Sequence, residues 1–356
     1  MMKKLIVCIL CFSLVFVMAA CGSNNTSSDP PPAAPPTDSG PATAPPASVD
    51  PIEINISTVQ TEMQILGKGA NELKRRLEAS SIADRVIVNV YPGGSLYSPV
   101  EEIDAIRNND LQLGFVNGTN LEPISNEMGL FKLPYLFDSV EQAYRVLDSG
   151  IANDVFASIE NFRVLASIGQ GHAVIGNSVR PLVTPEDMRG LKIRAPGAIE
   201  SAIIESMGAM VVVIASDEAY TALQQNVVDG LGTPSLVYEQ RRYYEVTDYL
   251  TDAGMMWWPI SFAIASAKFW DELPDDLRSE LQVIMDGLYA EMRMEAIEGL
   301  QNTLDVSAAE GVQIHVLSPD EVEVWRAATS SVYAMYEGDI GAELIKKTQD
   351  RVKELG

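Results

Sequence analysis

The sequence predicts a two-lobed α/β protein. Three observations carry this: a length of 356 residues, two successive runs of alternating strand and helix patterns, and one long helical stretch near the C-terminal end. A chain of this length exceeds one small core and suits lobes of about 100 to 200 residues each. Hydrophobic residues make up 47% and charged residues 21%, enough to fill such cores.

The first twenty residues, MMKKLIVCILCFSLVFVMAA, set two lysines before an apolar run from Leu5 to Ala20 that only Ser13 interrupts. This pattern predicts a secretory signal peptide, and the run is short for a permanent membrane span of about 20 residues. It ends in VMAAC, which resembles a bacterial lipobox: Ala19 and Ala20 fit the cleavage position and Cys21 is the expected lipidation point, although Met18 stands where Leu is usual. Cleavage removes Cys8 and Cys11, so no thiol is left for a disulfide or a metal. Residues 22–51 hold nine of the 20 prolines and no large apolar residue but Val49, too little to offset the entropy of ordering. They read as a semi-extended tether.

From Ile52 the alternation begins. IEINIST, RVIVNVYP and LQLGFVNG have strand periodicity, and GKGANELKRRLEAS and PVEEIDAIRNND have helical periodicity. This βαβαβ order predicts a parallel sheet flanked by helices. A helical stretch at VEQAYRVLDSGIANDVFASIENF leads into a second unit, with strands at RVLASIGQG and LKIRAP and helices at AIESAIIESM and SDEAYTALQQNVVDG. Downstream, Leu277, Leu281, Ile284, Leu288, Met292, Leu300 and Leu304 recur near a 3.6-residue period with no proline between 275 and 318. A helix of about 30 residues spans about 45 Å and is expected to cross both lobes, its methionines filling core gaps.

The chain offers little to an enzyme. Its two histidines, His172 and His315, stand apart from each other and from cysteine, so no metal site is expected. GKGANE fails the phosphate-loop pattern because Gly69 follows Lys68. The glycine pairs at 169–171 and 230–232 lack the third glycine of a dinucleotide fingerprint, and there is no G-x-S-x-G elbow. No cofactor is expected. Glu101 with Glu102, and Asp275 with Asp276, sit at predicted helix starts where acids suit the helix dipole. A formal net charge of −24 argues against nucleic acid as a partner.

Against that acidic background, RGLKIRAPG places Arg194 between apolar neighbours at a predicted strand end, where it needs an anion. The segments YPGGSLYSPVEEIDAIRNNDLQLGF, LPYLFDSVEQAYRVLD, TPEDMRGLKIRAP, MGAM, AYTALQQNVVDG, YYEVTDYLT and KFWDELPDDLR resemble, in order, the substrate-binding proteins of TRAP (tripartite ATP-independent periplasmic) transporters, the DctP family. The resemblance implies a periplasmic-binding-protein-like fold: two lobes around a cleft, crossing strands between them, and a long C-terminal helix spanning both. The expected lobes are residues 52–170 with 260–298, and 171–259 with 299–356.

The resemblance also implies a site. The arginine of the family's GLKIRAP-like segment binds a substrate carboxylate and maps onto Arg194, whose planar fork suits bidentate contact. Strand ends contribute Thr58 and Gln60, then Asn117 and Asn120. Ser216 and Thr233 complete the expected polar set, Thr233 replacing a frequent asparagine in VDGLGTP. Where many relatives carry a second arginine, GQGHAV offers His172 as a partial substitute. Of the adjacent Trp257 and Trp258, one is expected in the core and the other as an apolar wall of the cleft, with Trp257 assigned to the pocket; Tyr135 and Phe137 are expected to pack the core or hinge. The implied function is capture of a carboxylate-containing organic acid outside the cytoplasm, by a protein lipid-anchored to the cell membrane through Cys21, and its delivery to the TRAP membrane subunits. A ligand-binding partner of a membrane sensor has the same features, and a lipoprotein enzyme is a further alternative.

Overall fold

A computed structural model describes residues 51–157, 159–214, 216 and 218–356. The expected signal peptide, Cys21 and all of the tether but Pro51 lie outside the described residues.

The first unit begins with β1 (Ile52–Ser57), α1 (Ile65–Glu78), β2 (Val86–Tyr91), α2 (Pro99–Asn108) and β3 (Leu113–Asn117). Leu66, Ala70, Leu73 and Leu77 form the buried stripe of α1, spaced by three or four residues as an amphipathic helix requires. At the start of α2, Ser98 and Glu101 form a capping box around Pro99; the helix ends at Asn109 in a left-handed conformation, φ 66°. The next helical stretch is split: α3 (Val140–Val146) and α4 (Ala152–Phe156) are separated by a π-helical turn at Leu147–Ile151. β4 (Phe162–Gly169) closes this part of the chain.

Two sheets result. In the first, ordered β2-β1-β3-β10-β4, the parallel expectation holds only for β1, β2 and β3. Here β10 (Ile260–Ser266) returns from far downstream to run antiparallel between β3 and β4, a long-range pairing that local periodicity does not encode.

The second sheet, ordered β11-β9-β5-β8-β6-β7, is also mixed. Its strands are β5 (Ala173–Asn177), β6 (Lys192–Ala195), β7 (Met210–Val213), β8 (Gly230–Pro234), β9 (Tyr249–Asp252) and β11 (Gln313–Val316). β6 runs parallel to β7 and β8, and β5 runs antiparallel to β8 and β9. Between them lie α5 (Ala198–Ser206), α6 (Ala219–Gln224) and α7 (Ser235–Gln240). α6 is shorter than its sequence pattern suggests because the chain turns at Asn226, φ 53°.

α8 (Ala267–Glu272) precedes α9 (Asp275–Ala309), the expected long helix, at 35 residues or about 52 Å. The N-terminal and middle turns of α9 meet the first unit, where Gln282 Nε2 donates to the Leu165 carbonyl at 3.0 Å, Arg293 Nε donates to the Ser167 carbonyl at 3.0 Å and Lys68 pairs with Glu295 at 3.1 Å. Its far end meets the second, where Thr303 Oγ1 donates to the Ser235 carbonyl at 3.1 Å. Met285 and Met292 are buried in its packing face. Three further helices, α10 (Pro319–Thr329), α11 (Ser331–Ile340) and α12 (Ala342–Leu355), complete the chain.

The chain passes between sheets at 170–172, at 253–259 and a third time along α9, and Gln170 N donates to the Pro259 carbonyl at 3.0 Å, tying the first two crossings together. Trp258 anchors the junction, edge-on to Tyr144 and Phe137 with centroids 5.1 and 5.7 Å away.

Candidate functional site

Arg194 occupies the end of β6, between β7 and β8, and is 3% exposed. Its Nε donates to the Ile214 carbonyl at 2.8 Å, and its Nη1 has a long contact, 3.5 Å, to the Gly232 carbonyl. Two of the five N–H donors are thereby directed at main chain, and among the described residues no carboxylate oxygen lies within ion-pair distance of the guanidinium. Burial lowers its proton affinity, partly opposed by Tyr243 and by the Glu200 carboxylate, yet guanidinium remains cationic in proteins. A buried cation without a counter-ion is costly, and the backbone carbonyls satisfy it only in part.

The register places Arg194 beside Leu231, so Thr233, two residues on, projects from the same face of β8. Thr233 is buried there. Ser216, past the end of β7, accepts a hydrogen bond through its carbonyl from Tyr243 Oη at 2.9 Å. Gly232 faces the other way: a Cβ there would stand 2.8 Å from the Trp257 ring. Trp257 is therefore on the opposite side of the sheet from Arg194, fully buried against Gly232 and near Ile204. Both indoles, Trp257 and Trp258, are buried in the same core.

At the ends of β1 and β3 the polar residues form one network. Thr58 Oγ1 accepts from the Gln60 backbone at 3.3 Å, and Gln60 Nε2 donates to Asn117 Oδ1 at 3.0 Å. The same Asn117 oxygen accepts from Gln170 Nε2 at 2.8 Å, and Gln170 also reaches Ser261 Oγ at 2.6 Å. Gln60 Oε1 accepts from the Leu66 amide at 3.0 Å, holding the start of α1. Asn120 lies one turn past β3, its Nδ2 buried and without a partner. Gln170 and Ser261 are members that the sequence reading did not single out: Gln170 falls at the end of the RVLASIGQG strand pattern, and nothing local marks either side chain as part of a network.

His172 does not join either group. Its Nδ1 lies 3.3 Å from Asp252 Oδ1, and it lines a cavity of about 340 Å3 with Tyr135, Phe137, Met255 and Arg326. Tyr135 and Phe137 are buried as core packing.

A second buried cation escaped the sequence reading. Lys132 is 3% exposed and pairs with both Glu122 and Glu200, the latter at 3.0 Å. Its setting, LFKLPYLF, has the same signature as Arg194: one cation between apolar neighbours. The acids at the start of α2 also divide. Glu101 caps the helix, whereas Glu102 turns inward, fully buried with neither carboxylate oxygen bonded. Among the described residues no three metal-ligating side chains cluster, and no helix is long and apolar enough to cross a membrane.

The chain has relatives of known kind. The chain is 28% identical over 311 residues to the C4-dicarboxylate-binding periplasmic protein DctP of Vibrio cholerae, covering 84% of this chain and 91% of the relative. It is likewise 28% identical over 320 residues to the C4-dicarboxylate-binding protein DctB of Bacillus subtilis, covering 86% and 88%. Among solved structures, a TRAP periplasmic solute-binding protein from Sulfurospirillum deleyianum with bound succinate superposes with a TM-score of 0.74 at 27% identity, over 85% of this chain and 99% of the other. One from Pseudomonas aeruginosa with bound L-malate gives 0.73 at 27% identity, over 80% and 100%. The model of bacterial extracellular solute-binding protein family 7, DctP, matches residues 56–339, and the chain belongs to that family.

Proposed function

We propose that this protein captures an organic acid by its carboxylate at Arg194 and delivers it to the membrane subunits of a TRAP transporter. The observation that carries this reading is Arg194 itself: a buried guanidinium, aimed by two main-chain carbonyls, with further donors available and no ion-pair partner among the described residues. A carboxylate arriving there satisfies the fork in a way a neutral solute does not. The names of the relatives, and the succinate and L-malate bound in similar structures, favour short dicarboxylates as the first acids to test.

The ligand lies between two groups in this reading. Arg194, Thr233 and Ser216 approach it from the second sheet, and Thr58, Gln60, Asn117 and Asn120 from the first. Trp257 supports the floor from behind β8, and His172 acts at the crossing through Asp252. The lobes that close on it are 52–170 with 260–298 and 171–259 with 299–356, moving about the paired crossings. No chemical step is required of the chain. Acylation of Cys21 retains the protein at the membrane, the tether giving it reach.

A thermal-shift screen of the mature chain against succinate, L-malate, D-glucuronate and their uncharged amides tests the function. Acids that raise the melting temperature while their amides do not support it; amides that stabilise equally contradict it. Replacing Cys21 with Ser and finding the protein still in the membrane fraction contradicts the anchoring.

A further inference from the structure

The Glu122–Lys132–Glu200 cluster lies at the start of α5, the helix that follows the Arg194 strand, and belongs to neither polar group described above. Glu200 sits in the first turn of α5, six residues after Arg194, and is 1% exposed. Its Oε2 lies 2.8 Å from where a Cβ on Gly197 would stand, so the carboxylate is folded back against the turn that joins β6 to α5. The carboxylate thus lies just past the strand end that carries Arg194, and its charge favours the cationic form of that guanidinium. An acid there opposes the binding of any anion at Arg194 unless a cation compensates it. Lys132 is that cation. It reaches across from the segment that follows β3, with its Nζ 3.0 Å from Glu200 and also against Glu122. The approach is fixed by packing, since Gly129 of the same segment sits directly on Ile199 of α5.

We infer that Lys132 is a positioning residue for anion binding: it holds and neutralises Glu200, the acid next to the Arg194 site, so that the site stays attractive to a carboxylate. This rests on the reading that Arg194 binds the ligand's carboxylate. It assigns opposite signs to the two members of one ion pair, which a purely structural ion pair does not.

The test is titration calorimetry with whichever of succinate, L-malate and D-glucuronate the mature wild-type chain binds most tightly. Glu200→Gln keeps Lys132 paired with Glu122, so folding is retained, and it is expected to tighten binding about threefold or more. Lys132→Met is expected to weaken binding about tenfold or more, and Lys132→Met with Glu200→Gln to return to within about threefold of wild type. If Lys132→Met does not fold, Glu200→Gln alone decides. Unchanged or weaker binding by Glu200→Gln overturns the inference. Arg194→Ala separates the two levels: if it leaves affinity intact, or if the wild type binds none of the three acids, the carboxylate reading itself falls. If Arg194→Ala abolishes binding while Glu200→Gln gains nothing, only the role of Lys132 falls.

Discussion

Gln60 Nε2 donates to Asn117 Oδ1 at 3.0 Å while the Gln60 Oε1 accepts the Leu66 amide at 3.0 Å, so one side chain links the ends of β1 and β3 to the start of α1. Gln60→Ala is expected to cost about 1 to 3 kcal/mol of stability, because it strands the buried Leu66 amide and removes a donor from Asn117. Urea unfolding measures this; a loss below about 0.5 kcal/mol shows that water replaces the amide.

Gly232 meets the Trp257 ring where a side chain has no room, 2.8 Å from a Cβ. Its carbonyl also faces Arg194. Gly232→Ala is expected to lower stability by about 1 to 3 kcal/mol and to weaken acid binding together with it, since relief of the clash moves β8. Unaltered affinity in a destabilised variant separates the packing role from the site.

Glu102 provides a pH test. Burial pushes its carboxyl from the ordinary 4.5 up to about 7, with the nearby Ser57 hydroxyl a smaller, opposing influence. The folded state thus binds this proton more tightly than the unfolded chain, and the group's stabilising contribution, complete below about pH 4.5, is lost as pH rises through about 7. Glu102→Gln mimics the protonated form. The variant's stability advantage over wild type is expected to grow from near zero at about pH 4.5 to on the order of 2 to 3 kcal/mol at about pH 8. Parallel stability curves for the two proteins across that range contradict the assignment.

The parts of the fold legible in the sequence are those set by local periodicity. The β1 to β3 unit and α9 announce themselves through apolar spacing, and the acids Glu101 and Glu102 mark the start of α2. β8, β9 and β11 do not, because GLGTP, YLTD and QIHV are short and become strands only through partners far along the chain. The antiparallel insertion of β10 is a long-range choice of the same kind. In the site, Arg194 is legible because a lone cation in an apolar setting is conspicuous. Gln170, Ser261 and the pairing of Lys132 with Glu200 are not, since neutral polar networks and ion pairs of distant residues leave no local pattern.

The orientation of Arg194 depends on the Ile214 carbonyl, 2.8 Å from Nε. Lysine keeps the charge but lacks an Nε donor and the planar fork. Arg194→Lys is therefore expected to bind acids about ten- to a hundredfold more weakly than wild type, yet more tightly than Arg194→Ala. Equal loss in both variants indicates that geometry alone, and not charge, anchors the ligand.

The central claim is that the guanidinium of Arg194 receives its counter-ion from the ligand. Calorimetric titration of wild type and Arg194→Ala with the most tightly bound acid tests it most directly. A loss of about a hundredfold or more in affinity, on the order of 3 to 5 kcal/mol, is the expected result. A loss smaller than about fivefold contradicts the account.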